Sequence, residues 1–255
     1  MSNIEKVQKC FTYMSKNFET KDMNFSKEEY LRYTNSCINP QSADSVLEVA
    51  SGTCACGRSI APFVRNVTCL DVTEAMLNVG KSKAEEENIN NMIFVKGCAE
   101  NLPFLDNSFD IVISRLAFHH FSDVKVPFKE MVRVLKKGGK FVLIDMEATE
   151  EKLRIIEDEI ETLRDPSHIK NLSKREILEL YNKNSLNVTK MESTNISVSL
   201  ENWMNFTGTP ENIKVKIREK MLDDINNGVK TGFNPYMENE KIYFYQRWLM
   251  TMGIK

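Results

Sequence analysis

Five short apolar runs alternate with amphipathic segments through the first half of the chain, at residues 45–50, 67–71, 92–96, 109–114 and 141–145. A strand covered on both faces has no polar side, so it reads as a near-continuous apolar stretch, and this pattern predicts a parallel sheet wrapped by helices. Between the runs, apolar residues recur at helical spacing. One set is Ala75, Met76, Val79 and Ala84 behind Thr73 as N-cap, and the other is Val124, Phe128, Met131, Val132 and Leu135 around Pro127. The basic stretch 133–137 reads as the end of that second helix, with Gly138 closing it.

Residues 4–38 also carry a helical pattern, interrupted near Lys21 and Asp22, with Phe11, Met14, Phe18, Phe25, Tyr30, Leu31, Tyr33 and Ile38 as its apolar positions. Asn39-Pro40 ends it, because a residue before proline avoids the helical basin. After Asp145 the character changes. A charged amphipathic helix is expected over 149–164, a Ser173-capped helix to about Asn182, a strand over 186–200, a helix over 210–226 and a closing strand over 241–252. Strands alternating with helices make an α/β, doubly wound fold the expectation.

Composition narrows the function classes. The chain has 255 residues, 42% hydrophobic and 27% charged, with a net charge of −2. No Lys/Arg block stands out, so a nucleic-acid partner is not expected. No stretch reaches the ~18–20 apolar residues of a membrane span, and the polar N-terminus lacks the apolar core of a signal peptide. All six cysteines precede residue 99. Reduced thiols in a cytoplasmic protein are the expectation, and Cys54-Ala55-Cys56 is too closely spaced for the usual zinc half-site, so no metal is expected.

The chemistry concentrates after the first and second strands. Glu48 near the end of the first run, followed by the small-residue turn Ala50-Ser51-Gly52, lets backbone approach a ligand at a strand's carboxyl end. Asp71 ends the second run, where a carboxylate can accept from ribose hydroxyls. Nicotinamide-binding folds share this pair, but a dinucleotide fingerprint needs a second glycine where Cys54 stands. Asp71 is also open to a plain reading as a turn residue leading a helix.

The segments "VLEVASGTC" (46–54), "CLDVTEAML" (69–77), "GCAENLPFLDNSFDIVISRLAFHHF" (97–121) and "EMVRVLKKGGKFVLIDM" (130–146) resemble the class I S-adenosylmethionine (SAM)-dependent methyltransferases. They are most similar to the ubiquinone/menaquinone-biosynthesis C-methyltransferase group. The resemblance implies a seven-stranded, mostly parallel sheet with the closing strand antiparallel beside the fifth. It also implies a helical cap over 1–40, a SAM-binding core over 41–147, and covering helices and the last two strands over 148–255. Gly52, Ala50 and Ser51 would hold the methionine moiety and Asp71 the ribose. Val72 and Met76 would pack on the adenine, Cys98 and Ala99 would line its edge, and Ser114 would lie beneath the methionine end. Two positions depart from the group: Cys54 stands where glycine is common, which would narrow the turn, and Cys98 where aspartate is common.

A small-molecule acceptor is expected, with two alternatives to a methyltransferase: a nicotinamide-dependent oxidoreductase, or a SAM-binding regulator without activity. His119 and His120 invite a general-base role and are equally readable as loop packing. Arg115 either steers an acidic acceptor or pairs with a nearby carboxylate. Arg164 and His168, around Pro166, either hold a polar or anionic acceptor or close a helix.

Overall fold

The computed structural model describes residues 1–19, 27–148 and 150–255. Its core is one sheet of β1 (Ser45–Val49), β2 (Asn66–Asp71), β3 (Met92–Lys96), β4 (Phe109–Arg115), β5 (Leu135–Met146), β6 (Asn187–Ser199) and β8 (Lys241–Ile254), in the order β3-β2-β1-β4-β5-β8-β6. The first five strands run parallel, and β8 enters antiparallel between β5 and β6, as expected. A short β7 (Tyr236–Glu238) pairs with the start of β8 and was not anticipated. Its brevity explains why: three residues carry no periodicity to read.

Neighbouring residues on each strand feed opposite faces. Leu47, Val49, Val112, Phe141 and Leu143 pack with Phe128, Met131 and Tyr181 from α5 (Lys125–Val134) and α7 (Lys174–Lys183). Val46, Ile111, Ile113, Val142 and Ile144 pack against α2 (Glu28–Ile38), α3 (Ala55–Ile60) and α4 (Glu74–Glu86) through Leu31, Ile60 and Leu77. This is the doubly wound arrangement that two-sided apolar strands require. A third cluster, around Met146, Ile160, Trp203, Phe244 and Trp248, joins α6 (Arg154–Arg164), α8 (Leu200–Phe206) and α9 (Glu211–Asn227) to the long strands β6 and β8.

Local signals explain several boundaries. The first helix, α1 (Asn3–Met14), opens on a capping box between Ser2 and Glu5, and α7 opens on the equivalent Ser173–Glu176 box. Thr73 occupies the N-cap of α4, but its hydroxyl makes no capping bond; its amide instead donates to Asp71 Oδ1 at 2.8 Å. Gly138 does not end α5. That helix stops at Val134, Leu135 already begins β5, and Gly138, at φ +78°, lies within a register shift of the β4–β5 ladder. Lys136 pairs with Asp110 across it, so the basic stretch belongs to a bulged strand. The helix expected from residue 149 starts at Arg154. Phe25, Lys21 and Asp22 fall outside the described residues.

Candidate active site

A cleft of about 1410 Å³, a volume that includes the open solvent at its mouth, lies over the carboxyl ends of β1, β2, β4 and β5. Doubly wound sheets place ligands here because the strand order reverses at β1 and β4, so the loops leaving them diverge and open a crevice.

One half of the cleft is built from turns. Ala50 (φ +53°), Gly52 (φ +53°) and Cys54 (φ +60°) all adopt left-handed backbone within five residues of the end of β1, and Leu116 (φ +55°) does so after β4. Non-glycine residues take that conformation at a cost of roughly 1–2 kcal/mol each. Here Asp71 offsets the cost by fastening the turn, its Oδ2 accepting from Gly52 N at 2.8 Å. Burial raises the Asp71 pKa while the amides of Thr73 and Gly52 oppose the rise. Each of its oxygens retains acceptor capacity for a diol. Glu48 is 3% exposed and accepts from Gly57 N at 2.8 Å, and burial pushes its carboxyl up to about 7.

Glu48, Ala50, Ser51, Gly52, Asp71, Val72, Cys98 and Ala99 all line this half. Two expected residues do not reach it. Met76 is fully buried below the turn, its Cε 3.2 Å from where a Cβ on Gly52 would stand. Ser114 is enclosed in β4 with its hydroxyl unpartnered. Cys54 does not narrow the cleft. Its Sγ turns away to Ser51 Oγ (3.5 Å) and Gly52 O (3.6 Å), and Gly80 lacks a side chain where that sulfur lies. Cys98 donates to Glu100 Oε2 at 2.6 Å, which leaves a carboxylate on the cleft wall beside the position where the resemblance leads one to expect aspartate. All six cysteines are unpaired.

The other half is assembled from distant segments: α1 (Asn3, Ile4, Val7, Phe11), the turn after β4 (His119, His120), Met146, Arg164, Phe206 and Trp248. His119 Nδ1 lies 2.5 Å from Asp145 Oδ1, and Asp145 also accepts from the amides of Ala117, Phe118 and Met146. Burial alone would lower the His119 pKa, but the Asp145 charge and hydrogen bond raise it overall. Nε2 makes no hydrogen bond to the described residues. Asp145 was read only as the end of the fifth strand; the signal that could have marked it is the one used for Asp71, a carboxylate at a strand's carboxyl edge.

His120 is held differently. Its Nδ1 faces Ser167 O (3.1 Å) and Ser167 Oγ (3.2 Å), Phe11 meets its ring edge-on at 5.2 Å, and Asn3 donates to its carbonyl at 2.5 Å. Burial and the neighbouring His119 push its pKa down to about 3. Arg164 lines the cleft, but its guanidinium lies 4.5 Å over Trp203 and 3.2 Å from the fully buried Glu161. His168 does not face the cleft. It packs behind His119, ring centroids 5.7 Å apart, with Nε2 on Asp158 Oδ1 at 2.9 Å. Arg115 lines the cleft with its guanidinium 5.2 Å from the Trp248 ring. Among the described residues no cluster of three or more potential metal ligands occurs, and no helix is long and apolar enough to cross a membrane.

Comparison with known proteins follows the same lines. Residues 47–143 match the methyltransferase domain family Methyltransf_11. The chain is 35% identical over 178 residues to the uncharacterized methyltransferase YcgJ of Bacillus subtilis, covering 69% of this chain and 68% of that one. It is 33% identical over 147 residues to a demethylmenaquinone methyltransferase of Listeria monocytogenes, covering 55% and 62%. The crystal structure of Bacillus subtilis YcgJ superposes with a TM-score of 0.82 at 29% identity, over 89% of this chain and 98% of that one. A Haemonchus contortus phosphoethanolamine N-methyltransferase in complex with SAM shares the fold, with a TM-score of 0.65 at 16% identity over 100% of this chain and 60% of that one. The domain match, the 35% identity to YcgJ and a fold shared with it almost end to end lead to one conclusion: the chain belongs to the class I SAM-dependent methyltransferases.

Proposed function

We propose that this methyltransferase acts on a small, largely apolar acceptor whose reacting atom must lose a proton, with His119 as the general base and Asp145 holding it. The observation that carries this reading is the buried Asp145–His119 pair, which commits Nδ1 and leaves Nε2 for the acceptor. A carboxylate on Nδ1 sets the tautomer and stabilises the imidazolium formed on proton uptake. His120 takes no part as a base; with its pKa near 3 and Nδ1 tied to Ser167, it anchors α1 over the cleft.

When bound, SAM supplies a methyl carbon on a cationic sulfur, so alignment alone provides much of the rate. Asp71 and the Ala50–Gly52 turn hold the cofactor, Val72 and Ala99 pack on its base, and Phe11, Phe206 and Trp248 exclude water around the acceptor. Arg164, neutralised by Glu161, serves as a polar wall, and His168 supports His119 from behind. The relative named demethylmenaquinone methyltransferase makes quinol-type phenols the first acceptors to test.

The experiment is turnover of methyl-labelled SAM with a panel of hydroquinones, phenols and thiols, for wild type and His119→Ala. Loss of a general base is expected to lower turnover by ~10²–10⁴-fold, with S-adenosylhomocysteine binding retained. Wild-type activity should fall as pH drops through the His119 pKa, which lies above its ordinary 6.5, because the protonated ring cannot accept. An unchanged His119→Ala rate would remove the base from the mechanism.

A further inference from the structure

Two arginines face the cleft, and among the described residues only one forms an ion pair. Arg164 pairs with Glu161 at 3.2 Å. The Arg115 guanidinium makes no hydrogen bond or ion pair to the described residues, its Nη2 is buried, and its one close partner is the Trp248 ring. Among the described residues the acidic group that feels its charge is Glu48, which makes no ion pair with it: Glu48 Oε2 accepts from Gly57 N and Cys69 Sγ, and burial pushes the carboxyl up to about 7 against the pull of Arg115, so it is only a partial counter-charge. A cation in a low-dielectric wall with only a partial counter-charge is costly unless an anion arrives to meet it.

Position in the sheet says which anion. Val49 of β1 pairs with Ser114 of β4, so Arg115 stands beside Ala50, next to the turn that holds the cofactor. Asp71, at the end of β2, takes the ribose. From β2 across β1 to β4 is two strand spacings, ~10 Å, in the direction opposite to β3 and the adenine-lining Cys98 and Ala99. The cofactor's amino-acid tail must run that way. Ala55 and Cys56, beside Arg115 in the cleft wall, offer no charge to receive it.

We propose that Arg115 is the receptor for the cofactor's own α-carboxylate, and so a cofactor-binding rather than an acceptor-steering residue. A planar guanidinium can take a carboxylate bidentately, which Lys cannot. The assignment also explains why, among the described residues, Arg115 has no ion-paired acid where Arg164 has one: such a partner would compete with the cofactor at every turnover. It rests on SAM being the cofactor.

The test is calorimetry with two probes, S-adenosylhomocysteine, which carries the carboxylate, and 5′-methylthioadenosine, which lacks the amino-acid tail. Wild-type protein binding neither would defeat the cofactor reading itself. With that reading standing, Arg115→Met is expected to weaken S-adenosylhomocysteine by ~10–100-fold and leave methylthioadenosine within ~2-fold. Arg115→Lys, which keeps the charge, should lose less on the first probe and nothing on the second, and it serves if the Met variant does not fold. Unchanged S-adenosylhomocysteine affinity in both variants, or equal losses on both probes, would overturn the proposal.

Discussion

The two halves of the cleft are built on different principles. The cofactor half comes from contiguous strand–turn units: Glu48 to Cys54, Asp71 to Thr73, and Cys98 with Ala99. Its critical bonds join the end of one strand to the turn of its neighbour, as Asp71 does with Gly52. The acceptor half is a meeting of strangers in sequence: Asn3 with His120 and Ser167, His119 with Asp145, and Arg164 with Trp203. The first half is therefore set by turn chemistry that any acceptor specificity can share. The second is set by packing among segments free to vary, which is how one cofactor site serves many acceptors.

The sharpest way to break that contrast is Glu161→Gln in the acceptor half. Removing one member of a buried ion pair leaves Arg164 with only the neighbouring Asp165 charge and should cost up to ~3–5 kcal/mol, read as a lower urea midpoint at unchanged slope. The folded variant should still bind S-adenosylhomocysteine normally. A loss under 1 kcal/mol would show that Arg164 finds solvent or another partner.

In the cofactor half, Asp71→Ala should weaken S-adenosylhomocysteine by about 2–4 kcal/mol, the worth of two charge-assisted hydrogen bonds. Unaltered affinity by calorimetry would take Asp71 out of the site.

Glu48→Gln reports on burial net of the opposing Gly57 hydrogen bond and the Arg115 charge. The folded carboxyl has its pKa raised to about 7 from 4.5, so ionisation opposes folding. The penalty is absent below pH 4.5, grows from there to pH 7, and is constant above. At pH 8 the Gln variant should be more stable by about 3 kcal/mol, and the gain should vanish near pH 4. A gain that does not change between pH 4 and pH 8 would place its cause elsewhere than ionisation.

The smallest effect belongs to Cys54→Gly. Relief of left-handed strain, roughly 1–2 kcal/mol, opposes the loss of a buried sulfur against Gly80. The net change in stability should stay within ~1 kcal/mol, and S-adenosylhomocysteine affinity within ~2-fold, because the thiol faces away from the cleft. Much weaker binding would mean the thiol supports the ligand after all.

The five parallel strands, the helices between them and the Asp71 turn could be read from the chain alone. Two-sided burial leaves an unbroken apolar run, and a turn's backbone demands act within a few residues. The insertion of β8 beside β5 came from resemblance rather than from pattern. Gly138 was misread because glycine after a helical stripe signals a helix end and a strand bulge equally well; only pairing with β4 separates them. Asp145 against His119, Asn3 against His120 and Ser167, and an Arg115 without a hydrogen bond or ion pair among the described residues lie beyond local reading. Each depends on segments 26 to 164 residues apart meeting, or on their failing to meet. Charge compensation is a property of three-dimensional neighbourhoods, and sequence spacing carries no record of it outside a single helix turn or strand pair.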